Sequence, residues 1–256
     1  VFDPVKSLDQ LVNGKFIEIQ RHGKYLLFVF SKPNVPTDED LILLIHLGMT
    51  GKLVYIGSED MSLSPMQDLI RHKHTHLVFH FDKGLLVFND VRRFGKVRLF
   101  DRNLLYKTPL TLSNIGPDCL GPDLNPDYLY AQGQRHLALK MKSFLLDQSI
   151  LAGLGNIYAD EVLFEASIMP DRLASSLTMK DWTRVYKAIQ ILLIQSIHNG
   201  GTSFRDYKNA RNESGNNQNF LHVYGRKGLP CHRCGRSLEA SKIAGRTSVY
   251  CPHCQK

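Results

Sequence analysis

The stretch Leu145-Leu146-Asp147-Gln148-Ser149-Ile150-Leu151-Ala152-Gly153-Leu154-Gly155-Asn156-Ile157-Tyr158-Ala159-Asp160-Glu161 decides how the chain is read. An apolar run passes through a Gly-Leu-Gly turn, and Ile157 to Ala166 then repeats its apolar residues three and four apart, the period of a helix buried along one side. Two helices are therefore predicted to meet at a turn. Gly153 and Gly155 permit positive φ or the close approach of a phosphate, and Asn156 is expected to cap the second helix. A helix start leaves N–H groups unpaired and carries partial positive charge, which makes the turn a candidate anion site. Taken alone, an ordinary helix hairpin is the simpler reading.

Outward from this stretch the chain changes character twice. Toward the N-terminus, Lys15–Gln20, Tyr25–Phe30, Leu41–Ile45, His76–Phe81, Leu85–Asn89 and Lys96–Phe100 are short alternating or apolar runs separated by turns. Many short strands of this kind predict an antiparallel sandwich over residues 1–114. Pro33 to Asp40 and Met61 to Arg71 read as loops, and Leu8 and Leu11 as the end of a helix. Two Gly-Pro pairs, Gly116-Pro117 and Gly121-Pro122, punctuate residues 115–124 and suggest a linker. Residues 125–199 then read as helical, with Thr178 and Asp181 as a cap and Trp182 in the core. Residues 200–226 hold an Asn-, Gly- and Ser-rich loop through Phe220 and a return segment, and 227–256 form a separate tail. The expected fold class is α+β in two domains.

In the tail, Cys231-His232-Arg233-Cys234 is followed 16 residues later by Cys251-Pro252-His253-Cys254. Paired thiolates at this spacing suit one tetrahedral structural zinc, and a module this small needs the metal to fold. Four cysteines leave no open position for hydrolytic zinc, and His232 and His253 are spare. Between the pairs, residues 237–243 and 247–250 predict a hairpin presenting Arg246 at its turn. Cys119 stands alone as a plain buried thiol.

The 256 residues carry 32 Lys and Arg against 24 Asp and Glu, a net charge of +8, which favours a polyanionic partner. No run of 18 apolar residues and no signal-peptide pattern is present, so a membrane partner is not expected; a cytoplasmic monomer is.

Gly23-Lys24-Tyr25-Leu26, His46-Leu47-Gly48-Met49, Lys73-His74-Thr75-His76, Asp90-Val91-Arg92-Arg93-Phe94-Gly95, the opening stretch, His222-Val223-Tyr224-Gly225-Arg226 and residues 245–255 together resemble, in order, the landmarks of the formamidopyrimidine-DNA glycosylase and endonuclease VIII family of bifunctional base-excision-repair enzymes. The resemblance implies a β-sandwich, a helix-two-turn-helix bundle and a β-hairpin zinc finger, acting on double-stranded DNA with oxidised bases or abasic sites. By that resemblance Lys24, His46, Asn156, Tyr224 and Arg246 hold phosphates, and His74 and Lys142 also contact DNA. Met49, Arg92 and Phe94 fill the gap left by the extruded nucleotide, offsetting part of the cost of flipping it. Lys24 and Arg246 also stand nearest the chemistry, with Arg246 assisting the second elimination.

The family's nucleophile is an N-terminal proline followed by glutamate, whose amine forms a Schiff base and drives β,δ-elimination. This chain opens Val1-Phe2-Asp3-Pro4, and Pro4, being internal, has no amine. A fragment of a longer enzyme is expected, with a non-catalytic binder of damaged or abasic DNA as the alternative. An unrelated zinc-ribbon nucleic-acid binder would explain tail and charge but not the ordered landmarks. Val91 replaces a usual proline, and Asn216-Asn217 stand where the family loop commonly has aromatics, which bears on lesion preference.

Overall fold

A computed structural model describes residues 6–31, 40–61, 64–107, 112–203 and 214–256. The opening Val1-Phe2-Asp3-Pro4, most of the Pro33–Asp40 loop and the centre of the 200–220 loop lie outside the described residues. The chain divides into two compact units, one formed by Val1–Asn114 with Gly200–Gln218, the other by Ile115–Asn199 with Asn219–Lys256.

The first unit is a sandwich of two antiparallel sheets. After a short 3-10 turn, Leu8–Leu11, strands β1 (Lys15–His22), β2 (Tyr25–Ser31), β3 (Leu41–His46), β4 (Gly51–Gly57), β5 (Thr75–Phe81), β6 (Gly84–Asp90) and β7 (Lys96–Asp101) pair in the orders β1-β2-β3-β7 and β4-β6-β5. Phe28, Phe30, Leu43 and Ile45 from one sheet meet Leu53, Leu86 and Phe88 from the other. Residues of period two on each strand thus bury one face against the opposite sheet. Met61 to Arg71, expected as a loop, contains helix α1 (Ser64–Arg71). Its Leu69 and Ile70 pack on Val54, Ile56, Leu85 and Val87, the outer face of the three-stranded sheet. This second layer leaves β6 buried at every position and explains its continuous apolar run.

In the second unit, α2 (Pro126–Arg135), α3 (Met141–Leu146), α4 (Asn156–Glu165) and α5 (Met179–His198) surround a core containing Leu129, Phe144, Leu145, Leu163, Trp182 and Ile189. The helical region is more broken than its sequence suggests, with α3 only six residues long. Thr178 and Asp181 form a reciprocal capping box at the start of α5. Residues 116–119 run along the turn after α3. The Gly116 N–H donates to the Gln148 carbonyl and the Cys119 N–H to that of Ala152, both at 2.9 Å. A Cβ on Gly116 would lie 2.5 Å from the Ile150 carbonyl, so glycine there permits the close approach. Strands β8 (Glu239–Ile243) and β9 (Arg246–Tyr250) form the tail hairpin, closed by Ala244 and Gly245, both at positive φ.

Candidate nucleic-acid interface

The sandwich strands bring one set of sequence-predicted residues to a single end of the first unit. Across the four-stranded sheet, Tyr25 pairs with His46 and His46 with Lys96, so imidazole and ammonium stand side by side beside the β1–β2 turn that carries exposed Lys24. The β3–β4 and β6–β7 connections leave from the same end, because Gly51 pairs with Asp90. His74 lies there too: its carbonyl accepts the Asp90 N–H at 2.9 Å, and its ring lies 5.2 Å from that of His72.

His46 Nδ1 accepts the Gly48 N–H at 3.1 Å, leaving Nε2 as the protonated donor when the ring is neutral. Burial, then the charges of Lys24 and Lys96, hold its pKa below the ordinary histidine value. A neutral hydrogen-bond donor between two cations is suited to a phosphate oxygen.

Met49, Arg92 and Phe94 come together at this same end. Met49 is 69 % exposed and Phe94 51 % exposed, whereas side chains of this size are ordinarily buried. Arg92 lies over the Phe94 ring at 4.6 Å and donates Nη1 to the Met49 sulfur at 3.3 Å. The three side chains, drawn from two loops, are already in contact with one another. Asp90 shapes their loop from beneath. Its carboxylate accepts the Thr50 hydroxyl at 2.5 Å, the Arg92 N–H at 3.2 Å and the Gly95 N–H at 2.8 Å. Burial alone would raise the Asp90 pKa, but these bonds, with one from the Arg93 N–H, outweigh it and hold the carboxyl below the usual range. They also hold Arg93 at φ 56°, a conformation unusual for a side chain of its size. Gly48, at φ +67°, lets the two loops touch, since a Cβ there would lie 2.8 Å from the Gly95 nitrogen.

The second unit gathers Asn156, Tyr224 and Arg246 around α4. Gln148 staples the turn that precedes this helix: Nε2 donates to the Leu146 and Leu154 carbonyls and Oε1 accepts the Gly153 N–H, each at 3.0 Å. Asn156 does not cap the helix as expected. Gly155 occupies the cap position, Asn156 begins the helix itself, and its shielded Oδ1 accepts no hydrogen bond. The N-terminal N–H groups are left without a side-chain cap. Glu161, 2 % exposed, accepts the N–H groups of His222 at 2.8 Å, Val223 at 2.9 Å and Tyr224 at 2.8 Å, fixing the turn that carries Tyr224. Arg246 is exposed at the start of β9.

Lys142 departs from its expected place. It is fully buried, its ammonium donating to Asp160 at 2.7 Å and to the Asn156 carbonyl at 2.9 Å, because α3 turns the face bearing Met141, Lys142 and Leu145 into the core. It braces the turn from inside and offers nothing to a ligand.

Cys231, Cys234, Cys251 and Cys254 bring four sulfurs within 4.8 Å of one another, with Cys231–Cys254 at 4.0 Å and Cys234–Cys251 at 3.5 Å. Zinc–sulfur bonds of about 2.3 Å in a tetrahedron require sulfurs about 3.8 Å apart, so the set fits one structural zinc. Burial and the three neighbouring thiols push the Cys254 thiol up to about 12, a penalty on the thiolates that a divalent cation reverses. His232 and His253 stay outside this group.

Thr50, Asp90, Lys96, Gln148, Asp160 and Glu161 carry roles here that their sequence positions do not announce. The adjacent acids in the apolar run Ile157 to Ala166 were the available signal, since buried carboxylates demand partners.

Among the described residues no helix is long and apolar enough to cross a membrane. Residues 2–97 match the formamidopyrimidine-DNA glycosylase N-terminal domain, 115–208 the formamidopyrimidine-DNA glycosylase H2TH domain, and 228–256 the zinc finger found in FPG and IleRS. The chain is 42 % identical over 250 residues to the formamidopyrimidine-DNA glycosylase of Desulforamulus reducens, covering 97 % of this chain and 84 % of that one. It is similar to the Lactococcus lactis Fpg solved with abasic-site DNA, at a TM-score of 0.80 and 34 % identity over 95 % of this chain and 83 % of the other. The wild-type Lactococcus lactis Fpg (MutM) bound to oxidised-pyrimidine DNA gives a TM-score of 0.81 and 33 % identity over 98 % and 87 %. The sandwich, the helical unit and the four-cysteine hairpin are each matched in order along the chain, which belongs to the formamidopyrimidine-DNA glycosylase (Fpg/MutM) family of base-excision-repair DNA glycosylases.

Proposed function

We propose that this chain engages duplex DNA at an oxidised base or abasic site and serves glycosylase and abasic-site lyase chemistry through a Schiff base and β,δ-elimination. The observation that carries this reading is the group of Met49, Arg92 and Phe94 in mutual contact at the end of the sandwich that also bears Lys24, His46 and Lys96. Two large side chains held in water by an arginine contact have no use in folding. They suit the gap left by an extruded nucleotide, with the arginine facing the orphaned base. Lys24, His46, Asn156, Tyr224 and Arg246 hold phosphates, His74 adds a further contact, and none of these reads sequence directly. Solved relatives bound to abasic-site and oxidised-pyrimidine DNA support the substrate class.

In this chemistry an amine adds to the sugar carbon as the base departs, and the resulting imine makes the neighbouring C–H acidic enough for elimination. Borohydride reduces that imine to a stable adduct. Incubating the chain, and separately the chain preceded by a Pro-Glu-initiated segment, with abasic-site duplex and borohydride locates the amine. Trapping only by the longer protein assigns it to the added proline. Trapping by the chain as it stands assigns it to an amine such as Lys24. If neither traps and the chain binds abasic and intact duplex equally, the proposal fails.

A further inference from the structure

Asp160 and Lys142 are buried charges in the second unit for which the lyase chemistry has no use. Asp160 is 1 % exposed and Lys142 is 0 %. Asp160 Oδ1 accepts from the Lys142 ammonium at 2.7 Å and from the Ser248 hydroxyl, while Oδ2 accepts the Val249 N–H at 3.3 Å. The same ammonium donates to the Asn156 carbonyl at 2.9 Å. One carboxylate therefore joins α3, the first turn of α4 and strand β9. Asn156 lies at one end of this chain of bonds, and Arg246 stands two residues before Ser248 at the other. Arg246 is also near enough for its charge to oppose that of Lys142.

Fold stability alone does not account for this arrangement. Two buried charges lose hydration that their attraction only partly restores, and an apolar pair of the same volume often holds a core equally well. An apolar pair would not, however, set the distance between a helix turn and a hairpin strand. Directional bonds do so, and contact with two phosphates of one backbone needs that distance fixed beforehand.

We propose that Asp160 is a positioning residue which, through Lys142 and Ser248, fixes the Asn156 turn and the Arg246 strand at the spacing needed to hold phosphates of one DNA strand. The inference rests on the DNA-binding reading above. It predicts that Ser248→Ala, which removes only the hydroxyl bond to β9, behaves in DNA binding like loss of Arg246 itself.

The test uses the full zinc-loaded chain and a fluorescent duplex bearing a tetrahydrofuran abasic analogue, titrated between 50 and 200 mM salt by anisotropy. Arg246→Ala should weaken binding about tenfold and reduce the salt slope by about one. Ser248→Ala should lower the slope in the same direction and retain one zinc per chain. The double variant should bind no more weakly than Arg246→Ala alone, because Ser248 acts through Arg246. Amide exchange at Thr247–Tyr250 should quicken in Ser248→Ala. Effects that multiply in the double variant, an unchanged slope, or unchanged exchange would each overturn the proposal. Asp160→Asn extends the series if it folds; Ser248→Ala keeps the question decidable if it does not. Should the wild-type chain show no preference for the abasic duplex, the DNA reading fails, and exchange at Thr247–Tyr250 then decides the positioning role by itself.

Discussion

Asp90→Asn is the substitution whose outcome most directly tests how the exposed loop of the first unit is held. The carboxylate is fully buried and accepts from the Thr50 hydroxyl and the N–H groups of Arg92 and Gly95. The substituted amide has one accepting oxygen in place of two and brings an NH2 group to the other position. Turned one way, it leaves the buried Gly95 N–H facing a donor; turned the other, it leaves the Arg92 N–H only its 3.1 Å bond to the Thr50 hydroxyl. A buried donor left unpaired costs about 1–3 kcal/mol, and the surviving bonds weaken once the acceptor is neutral. The expected loss is about 1–3 kcal/mol. It should fall on residues 91–95, because Arg93 sits at φ 56° and relaxes once its anchor goes.

Hydrogen exchange followed by mass spectrometry reads this directly. Peptides spanning 91–95 should exchange at least tenfold faster in Asp90→Asn, with those from β3 much less affected. Urea unfolding by far-UV circular dichroism should give the stability change, and preference for abasic over intact duplex should fall about tenfold as the group above the loop loses its place. Equal exchange at 91–95, or a stability change below about 0.5 kcal/mol, would refute the reasoning. Acid should act similarly. The folded Asp90 carboxyl titrates below its unfolded value, so its stabilisation is complete above an unfolded pKa of about 3.9 and lost as pH falls through the lower folded value. Stability should not change on this account between pH 7 and 5.5, and residues 91–95 should loosen first below pH 4.

Gly48→Ala should destabilise the first unit by about 2–4 kcal/mol in urea, since it combines positive φ with a Cβ 2.8 Å from the Gly95 nitrogen. Phe94→Ala should change stability by less than about 0.5 kcal/mol, because the ring is exposed, yet abolish most of the preference for abasic duplex in a gel-shift competition. Gln148→Ala removes three bonds that close the turn before α4 and should cost about 2–3 kcal/mol, read from the fluorescence of Trp182 in the same unit. Chelation should release one zinc per chain by colorimetric assay and eliminate exchange protection in β8 and β9, with loss of DNA binding following.

The parts legible in the sequence are those in which local chemistry has one solution. Two Cys-x-x-Cys pairs 16 residues apart demand a shared cation, and Thr178 with Asp181 makes the capping box wherever a helix begins. The strands of the sandwich announce themselves by alternation and by Gly-bearing turns. Other features depend on partners remote in sequence. Lys142 resembles any solvated helix lysine until Asp160 and the Asn156 carbonyl, 18 and 14 residues away, are seen to enclose it. Met61 to Arg71 is polar enough to read as a loop, yet Ser64–Arg71 is helical, with Leu69 and Ile70 on the outer face of the second sheet. Asparagine usually caps a helix start, which makes Asn156 the cap expected from sequence. Instead Gly155 takes that position.

The charge distribution follows one logic in both units. A chain of net charge +8 presents Arg92, Arg93 and Arg246 to solvent, and pairing each with a surface acid would spend the cation before a phosphate arrives. Its organising acids point inward and accept from backbone N–H groups: Asp90 beneath the Arg92–Phe94 loop, Glu161 beneath the Tyr224 turn, and Asp160 beneath the Arg246 strand. Backbone donors fix a loop's shape without neutralising the side chains it carries. Neutralising these acids should therefore weaken DNA binding although all three are buried, whereas a simple electrostatic count predicts the opposite, since each substitution makes the protein more positive. The sign of the affinity change for Glu161→Gln distinguishes the two: a decrease follows from loop shape, and an increase would mean that net charge dominates.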